Sequence, residues 1–296
     1  MSIGTLRRRV SLDPHPPPSG LLTMRLGIHL PQYGRAASPE AIRAVAVRAE
    51  VLGFEDVWVS DHILQPAGQG YPSPYLFDAL LTLGWAAAVT ERVRLGTSVL
   101  VIPQYHPLQL ANSLASLDRL SGGRVTVVGG VGWSRAEYDA LDQDFATRGA
   151  RMDEALALMR AVWRDDPASF HGRHYDVSDV RVLPQPVGTV PIWIGGSSAA
   201  AMRRAAAADG YQGISTEPEE LAPVIAALRA QRPGADFTIS YRTGWDPQGM
   251  DPALIRDECA AYAAAGVQHV VAAPWRTNAD DWVRSMELLV DIVQPE

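Results

Sequence analysis

The segment MRLGIHLPQYGRAASPEAIRAVAVRAEVLGFEDVWVSDHIL, residues 24–64, contains a complete strand–helix–strand unit. The apolar run Arg25–Leu30 predicts a first strand. A helix is predicted over Pro39–Leu52, with Ser38 as its N-cap and a proline at its first position. The run Glu55–Ser60 predicts a second strand. Two strands that are joined through a helix indicate parallel pairing.

The same alternation of short β-branched runs and Ala/Leu-rich segments continues along the chain. Further strands are predicted at Val93–Val101, Arg124–Gly129, Pro191–Gly195, Tyr211–Ser215, Asp236–Arg242 and Val267–Ala272. Further helices are predicted near Tyr75–Val89, Leu108–Leu120, Arg148–Trp163, Ser198–Ala208, Pro218–Ala230, Pro252–Ala265 and Ala279–Val293. Eight such units predict an α/β fold, the TIM (β/α)8 barrel. The alternative is an open doubly wound sheet, but LPQYGRAAS follows the first strand where that fold often has GxGxxG.

Two segments fall outside this alternation. The stretch SFHGRHYDVSDVRVLPQP, residues 169–186, alternates like a hairpin and predicts an insertion between strands four and five. Residues 1–23 contain PHPPPSG and lack the apolar core of a signal peptide. We therefore predict a disordered N-terminal extension over residues 1–23 and a single barrel domain over residues 24–296.

Composition excludes several classes of protein. The net charge of −7 argues against a nucleic-acid surface, which needs a basic stripe. The chain has no apolar run near the ~20 residues of a membrane span, so we expect a cytoplasmic protein. Cys259 is the one cysteine, which excludes a disulfide framework. No metal site is predicted, because HExxH is absent and the pair His171 and His174 lies in surroundings poor in cysteine and acidic residues.

Polar residues stand at the end of the second predicted strand. In TIM barrels the active site lies at the carboxyl ends of the strands, where Asp61 and His62 follow VWVS. His62 is the predicted catalytic residue because an imidazole changes charge near neutral pH. Asp61 could orient that imidazole or tune a neighbouring group. His29 ends the adjacent strand, whereas His269 lies inside the last strand and is predicted to pack.

Two glycine clusters also follow predicted strands. The sequence GGVGW occupies residues 129–133, and GGSS occupies residues 195–198. Glycine allows close approach of the backbone to a flat ligand. In GGSS, free N–H groups at the start of a helix would favour an anion such as a phosphate. Turn glycines followed by an ordinary serine N-cap remain an equally good interpretation of GGSS alone.

Several motifs together resemble one known family. VSDHI, LGTSVL, HPLQLANSLASLDRLSGGR, VVGGVGW, RGARMDEALALMRAVW and PIWIGG occur in this order. Their combination resembles the luciferase-like monooxygenase superfamily and, within it, the coenzyme F420-dependent oxidoreductases. The resemblance covers Met24 to about Ile214 most closely. It implies a TIM barrel with the deazaflavin cofactor F420 across its mouth, and a homodimer.

The resemblance also implies roles for individual residues. Asp61 and His62 would lie beside the deazaflavin ring, with His62 in proton transfer. A non-proline cis peptide bond would join Ser98 to Val99. The residues that would bind the cofactor ring or its phosphate are Thr97, Ser98, Val99, Gly130, Val131, Gly132, Gly195, Gly196 and Ser197.

One position departs from the family pattern. In the sugar-phosphate dehydrogenases of this branch a glutamate follows the glycine motif, whereas here Trp133 does so, and the nearest downstream acid is Glu137. This difference argues against sugar-phosphate oxidation and for a more aromatic pocket. The aromatic residues that could line such a pocket are Trp133, Trp275, Tyr71, Tyr75 and Trp245.

Three functions follow from these observations. The first is an F420-dependent oxidoreductase that moves a hydride between C5 of the deazaflavin and a small organic substrate. The second is an FMN-dependent monooxygenase on the same barrel, because reduced FMN reacts with oxygen whereas the deazaflavin does so poorly. The third is a non-catalytic F420-binding protein, for which His62 would be dispensable.

Overall fold

The computed structural model describes residues 24–70, 73–234 and 236–294. Eight parallel strands close into a barrel, and helices surround it. This closed parallel barrel confirms the predicted TIM fold. The predicted extension over residues 1–23 lies outside the described residues.

The strands and helices follow the predicted order. The barrel strands are β1 (Arg25–His29), β2 (Asp56–Val59), β3 (Arg94–Val101), β4 (Val125–Gly130), β7 (Ile192–Gly195), β8 (Gly210–Ile214), β9 (Thr238–Thr243) and β10 (His269–Ala272). A separate antiparallel pair consists of β5 (Ala168–His171) and β6 (Asp176–Val180). Around the barrel the strands are hydrogen-bonded in the order β1-β10-β9-β8-β7-β4-β3-β2. The helices are α1 (Pro39–Leu52), α2 (Ala79–Val89), α3 (Pro107–Ser121), α4 (Arg135–Ala140), α5 (Arg148–Arg164), α6 (Ala199–Ala206), α7 (Pro218–Gln231), α8 (Pro252–Ala265) and α9 (Ala279–Val293).

Two helices differ from the prediction. Helix α2 begins four residues later than predicted, because Asp78 caps it and accepts a hydrogen bond from Leu81 N at 2.8 Å. Helix α4 was not predicted, since six residues are too few to show a helical period. Its N-cap is Ser134, whose side chain accepts from Glu137 N. The position of α4 matters because it carries Glu137 to the mouth of the barrel.

Two tryptophans pack in the interior of the barrel. Trp58 from β2 and Trp193 from β7 have ring centroids 5.7 Å apart, and Trp58 is fully buried. A Cβ at Gly96 in the adjacent strand would overlap with the Trp58 ring. A Cβ at Gly210 would lie 2.5 Å from Trp193. Glycine is therefore needed at both positions, because any side chain there would overlap with a tryptophan ring.

We predict that Gly96→Ala lowers the free energy of unfolding by about 3 kcal/mol, because the added methyl group overpacks the barrel interior. Gly84→Ala is the matched control, since Gly84 lies inside α2 and a Cβ added there would have no neighbouring atom within 4 Å. That change should raise stability by about 0.5–1 kcal/mol. Urea denaturation measures both variants, and equal effects would contradict the packing argument.

Candidate active site

A cavity of ≈ 370 Å³ opens at the carboxyl ends of the barrel strands. Most of the predicted site residues line it, and they come from four different strand ends. The predicted residues in its lining are Asp61, His62, Ser98, Val99, Gly130, Val131, Gly132, Gly195 and Gly196. The tertiary structure thus brings together segments that are far apart in the sequence.

His62 lies half-buried at one wall of this cavity. Its Nδ1 is 3.1 Å from Oε1 of Glu137, and its ring meets Trp133 edge to face at 5.5 Å between centroids. A carboxylate accepts hydrogen bonds, so Nδ1 carries the hydrogen. In the neutral imidazole this leaves the lone pair on Nε2. The arrangement can take up or release a proton at Nε2.

Glu137 is the site residue to which the sequence assigned no role. Its side chain is fully buried and also accepts a hydrogen bond from Ile63 N at 2.9 Å. Burial raises its pKa, but hydrogen bonds from His62, Ile63 N and Gln104 outweigh this and hold the pKa below its ordinary value. The carboxylate is therefore ionised at neutral pH. The motif SRAE looks like an ordinary capping box, which is why it carried no sequence signal of a site.

Asp61 differs from its expected role as the partner of His62. Its carboxylate accepts from Val101 N at 2.8 Å and from the Tyr105 hydroxyl at 2.9 Å. Burial raises its pKa to about 6, although these two hydrogen bonds oppose the shift. Asp61 thus joins the end of β2 to the end of β3 and to Tyr105 beyond it, while Glu137 orients the imidazole.

The floor of the cavity is built on Val99. The Ser98–Val99 peptide bond is cis, as the resemblance implied, and the pairing of β3 with β4 shifts register between Ser98 and Leu100. A Cβ at Gly195 would lie 2.5 Å from Val99 Cγ1, and one at Gly130 would lie 3.1 Å from Cγ2. The two glycines therefore make room for Val99, and the result is a smooth apolar surface that suits a flat ring.

Two predicted cofactor residues lie outside the lining of this cavity. Thr97 is fully buried, and its hydroxyl donates to Val128 O and accepts from Val128 N. It therefore holds β3 to β4. Ser197 is exposed in the loop before α6, where Ser198 is the N-cap and accepts from Ala201 N at 3.2 Å. Gly196, with φ of 107°, leads from the cavity into this helix start.

A charged side chain from β9 faces the opposite wall. Arg242 donates to Ser98 O at 2.6 Å and to the Ser60 hydroxyl at 3.1 Å, and it lies over the Trp275 ring at 5.2 Å. Ser60 Oγ is 2.9 Å from Nε2 of His29, whose Nδ1 donates to Leu30 O. Burial and the nearby Arg242 hold the pKa of His29 well below its ordinary value. His29 is therefore a neutral structural histidine.

The aromatic residues predicted to line the pocket lie in different places. Trp133 and Trp275 are exposed at the barrel mouth, and Trp133 lines the cavity. Tyr75 is exposed but lies outside this lining, and Trp245 is fully buried with its indole N–H donated to Glu258 at 2.7 Å. Tyr71 lies outside the described residues.

Comparison with known proteins assigns the chain to a family. The model of the luciferase-like monooxygenase family matches residues 21–245. The chain belongs to this family. A relative from Beutenbergia cavernae, named F420-dependent glucose-6-phosphate dehydrogenase, is 36% identical over 223 residues, which cover 71% of this chain and 66% of the relative.

Solved structures share the fold at lower sequence identity. The monooxygenase RslO1 from Streptomyces bottropensis superposes with a TM-score of 0.78 at 22% identity, covering 92% of this chain and 99% of that one. An F420-dependent secondary alcohol dehydrogenase in complex with an F420-acetone adduct gives a TM-score of 0.75 at 18% identity, over 92% and 99% of the two chains. These two comparisons support the barrel architecture.

Two further features are missing from the described residues. They contain no group of three or more His, Cys, Asp or Glu side chains placed to hold a metal ion. Among the helices of the same residues, none combines the length and apolar character needed to cross a membrane.

We predict that Asp61→Asn alters how stability depends on pH. The pKa of Asp61 is raised from 3.8 to about 6, so the folded chain holds this proton more tightly than the unfolded chain does. The protonated Asp61 of the wild type therefore adds to the free energy of unfolding in full below about pH 4, and this contribution is lost as the pH rises towards about 6. Relative to wild type, the free energy of unfolding of the variant should rise by about 1–3 kcal/mol over that range.

Urea denaturation at about pH 4 and about pH 7 measures this difference. Asp142→Asn is the control, because Asp142 is exposed on the surface. The assignment of a raised pKa to Asp61 would be wrong if both variants followed the wild-type pH dependence in parallel.

Proposed function

We propose that this protein is an F420-dependent oxidoreductase that transfers a hydride between the deazaflavin and a small organic substrate. The observation that carries the proposal is the contact between His62 Nδ1 and Glu137 Oε1 at the edge of a cavity with a smooth apolar floor. Family membership and a relative named as F420-dependent support the choice of cofactor. The apolar floor supplies a surface for the ring.

The residues of the cavity fit such a cofactor. Val99, seated against Gly130 and Gly195, would back the ring, and the start of α6 after Gly196 would face its phosphate. When bound, the deazaflavin supplies or accepts the hydride at C5. The protein contributes orientation of the ring, exclusion of water and control of protons.

In this proposal His62 takes a proton from the substrate or returns one to it. Glu137 fixes the tautomer that exposes the lone pair of Nε2, and its negative charge stabilises the imidazolium that forms when Nε2 takes a proton. A substrate alcohol or a similar heteroatom would lose its proton to Nε2 on oxidation. In the reverse direction the imidazolium would return it. Asp61 and Tyr105 hold the strand end from which His62 projects.

The lining of the cavity favours an uncharged substrate. Trp133 stands beside His62, and within the described cavity lining Arg242 is the one arginine or lysine. Its guanidinium already donates to Ser98 O and to Ser60 Oγ. A phosphate group would find few cationic partners here. We therefore propose a small neutral organic substrate for this chain, in contrast to the sugar phosphate in the relative's name.

We predict that wild-type protein binds F420 more tightly than FMN, measured by quenching of F420 fluorescence and by titration with each cofactor. His62→Ala should lower kcat by roughly 10²–10⁴-fold, the usual contribution of a general acid or base. Glu137→Gln should lower kcat by a smaller factor, because Gln can still accept from Nδ1 but has lost its charge. Both variants should retain the F420 dissociation constant.

The control is His171→Ala, since His171 is exposed on the β5–β6 pair and contacts Asp176. Tight binding of FMN with no binding of F420 would identify a flavin-dependent monooxygenase instead. Full activity of His62→Ala would remove His62 from the mechanism. A variant that loses F420 affinity without losing kcat would assign His62 to binding.

We further propose a cytoplasmic homodimer that associates through α1 and α2. The exposed apolar side chains Val47, Val51, Leu81 and Trp85 lie on these two helices. Val47, Val51 and Trp85 border a groove that continues to α9. A patch of this kind on a helix pair is suited to contact with a second copy.

We predict that Val51→Glu lowers the molecular mass in solution from that of a dimer to that of a monomer, because a buried charge destabilises an apolar interface. Leu254→Glu is the control, since Leu254 is an exposed apolar residue on α8. Size-exclusion chromatography with light scattering measures both. A dimer that survives Val51→Glu places the interface elsewhere, and a wild-type monomer contradicts the dimer.

A further inference from the structure

A continuous chain of hydrogen bonds leads from the barrel interior to the cavity. The Ser98 hydroxyl donates to Gln212 Oε1 at 2.5 Å, and Gln212 Nε2 donates to Ser240 Oγ at 3.1 Å. Ser240 Oγ lies 2.8 Å from Nδ1 of His269, whose Nε2 lies 3.0 Å from Asp56 Oδ1. All five side chains are buried, and they come from five different strands.

The carboxylate at the far end sets the direction of donation along this chain. Asp56 accepts from the Trp58 indole N–H and from His269, so Nε2 of His269 carries a hydrogen. The neutral imidazole then has its lone pair on Nδ1, so the Ser240 hydroxyl donates to Nδ1 and accepts from Gln212 Nε2. Each donor thus points towards Asp56. With this common direction, every member of the buried network has a hydrogen-bond partner.

The reverse direction is disfavoured by charge. It would require Gln212 to present its amide N–H to Ser98, and His269 to donate from both ring nitrogens. A doubly protonated imidazole is a cation and would form a buried ion pair with Asp56, and the desolvation of two buried charges is costly. The direction that starts at Ser98 buries only one charge.

This direction determines what Ser98 offers to a ligand. A serine hydroxyl has one hydrogen, and in Ser98 that hydrogen is engaged by Gln212. Ser98 and Gln212 both line the cavity, and Arg242 holds the Ser98 carbonyl from the other side. Towards the cavity the Ser98 hydroxyl therefore presents lone pairs, and it acts as a hydrogen-bond acceptor.

We propose that Ser98 accepts a hydrogen bond from the imide N3–H of the cofactor's pyrimidinedione ring, and that the chain through Gln212, Ser240, His269 and Asp56 holds Ser98 in this acceptor state. The inference rests on the proposed use of F420. It assigns the Ser98 hydroxyl an acceptor role at the ring and adds positioning residues that reach to the opposite end of the barrel interior.

The test compares F420 with the same molecule methylated at N3, using fluorescence quenching to obtain dissociation constants. Wild-type protein should bind F420 at least about tenfold more tightly than the methylated form, because the acceptor then faces no donor. Ser98→Ala should bring this ratio close to one. Gln212→Met should lower it several-fold, because the released Ser98 hydrogen can turn to a ring carbonyl.

Gln212→Glu tests whether the acceptor at position 212, and not only the packing of the side chain, sets the ratio, since a carboxylate still accepts from Ser98 and should preserve it. Gln268→Met is the matched control, because Gln268 bonds to Arg229 and Ile239 N and lies outside the chain. Equal binding of the two cofactors by wild type, or an unchanged ratio in Ser98→Ala or Gln212→Met, would overturn the inference. Failure of wild type to bind F420 at all would overturn the proposed function, and this inference with it.

Discussion

The buried carboxylate of Asp61 joins two strand ends on which the site depends. β3 loses its regular pairing with β4 after Ser98, and the Val101 N–H that follows is satisfied by Asp61 at 2.8 Å. The same carboxylate takes the hydroxyl of Tyr105 at 2.9 Å. An irregular strand end with unsatisfied buried N–H groups would be costly, so this side chain supports the displaced backbone that carries Val99. His62 follows directly in the chain, and its position is tied to the same anchor.

The cavity floor and the barrel interior obey one packing rule. In both places a large side chain occupies space that a neighbouring strand provides by having glycine. Trp58 requires Gly96, and Val99 requires Gly195. Protein interiors are packed as densely as organic crystals, so each of these pairs behaves as a unit. The glycines that border the cavity therefore have a structural reason for their identity, and the smooth floor follows from it.

Sequence patterns were sufficient for the architecture and for part of the site. The strand–helix alternation predicted eight barrel units, and the order of the strands in the closed barrel agrees. Strand-end reasoning located Asp61 and His62 at the cavity. It assigned no role to Glu137, because SRAE reads as a helix cap and the contact with His62 joins residues 75 positions apart. The resemblance, and not the strand-end pattern, implied that Thr97 binds the cofactor ring, and its hydroxyl bonds to the backbone of Val128.

The sequence by itself determined the barrel and the rim where chemistry would lie, because hydrophobic periodicity and strand-end polarity are local properties of the chain. The tertiary structure decided which carboxylate forms a hydrogen bond with the imidazole of His62. Asp61 is adjacent to His62 in the chain, yet its carboxylate supports β3, and Glu137 from α4 reaches the imidazole instead. Hydrogen-bond partners depend on the directions in which side chains leave their backbones, and those directions are set when the barrel closes and α4 packs over its mouth.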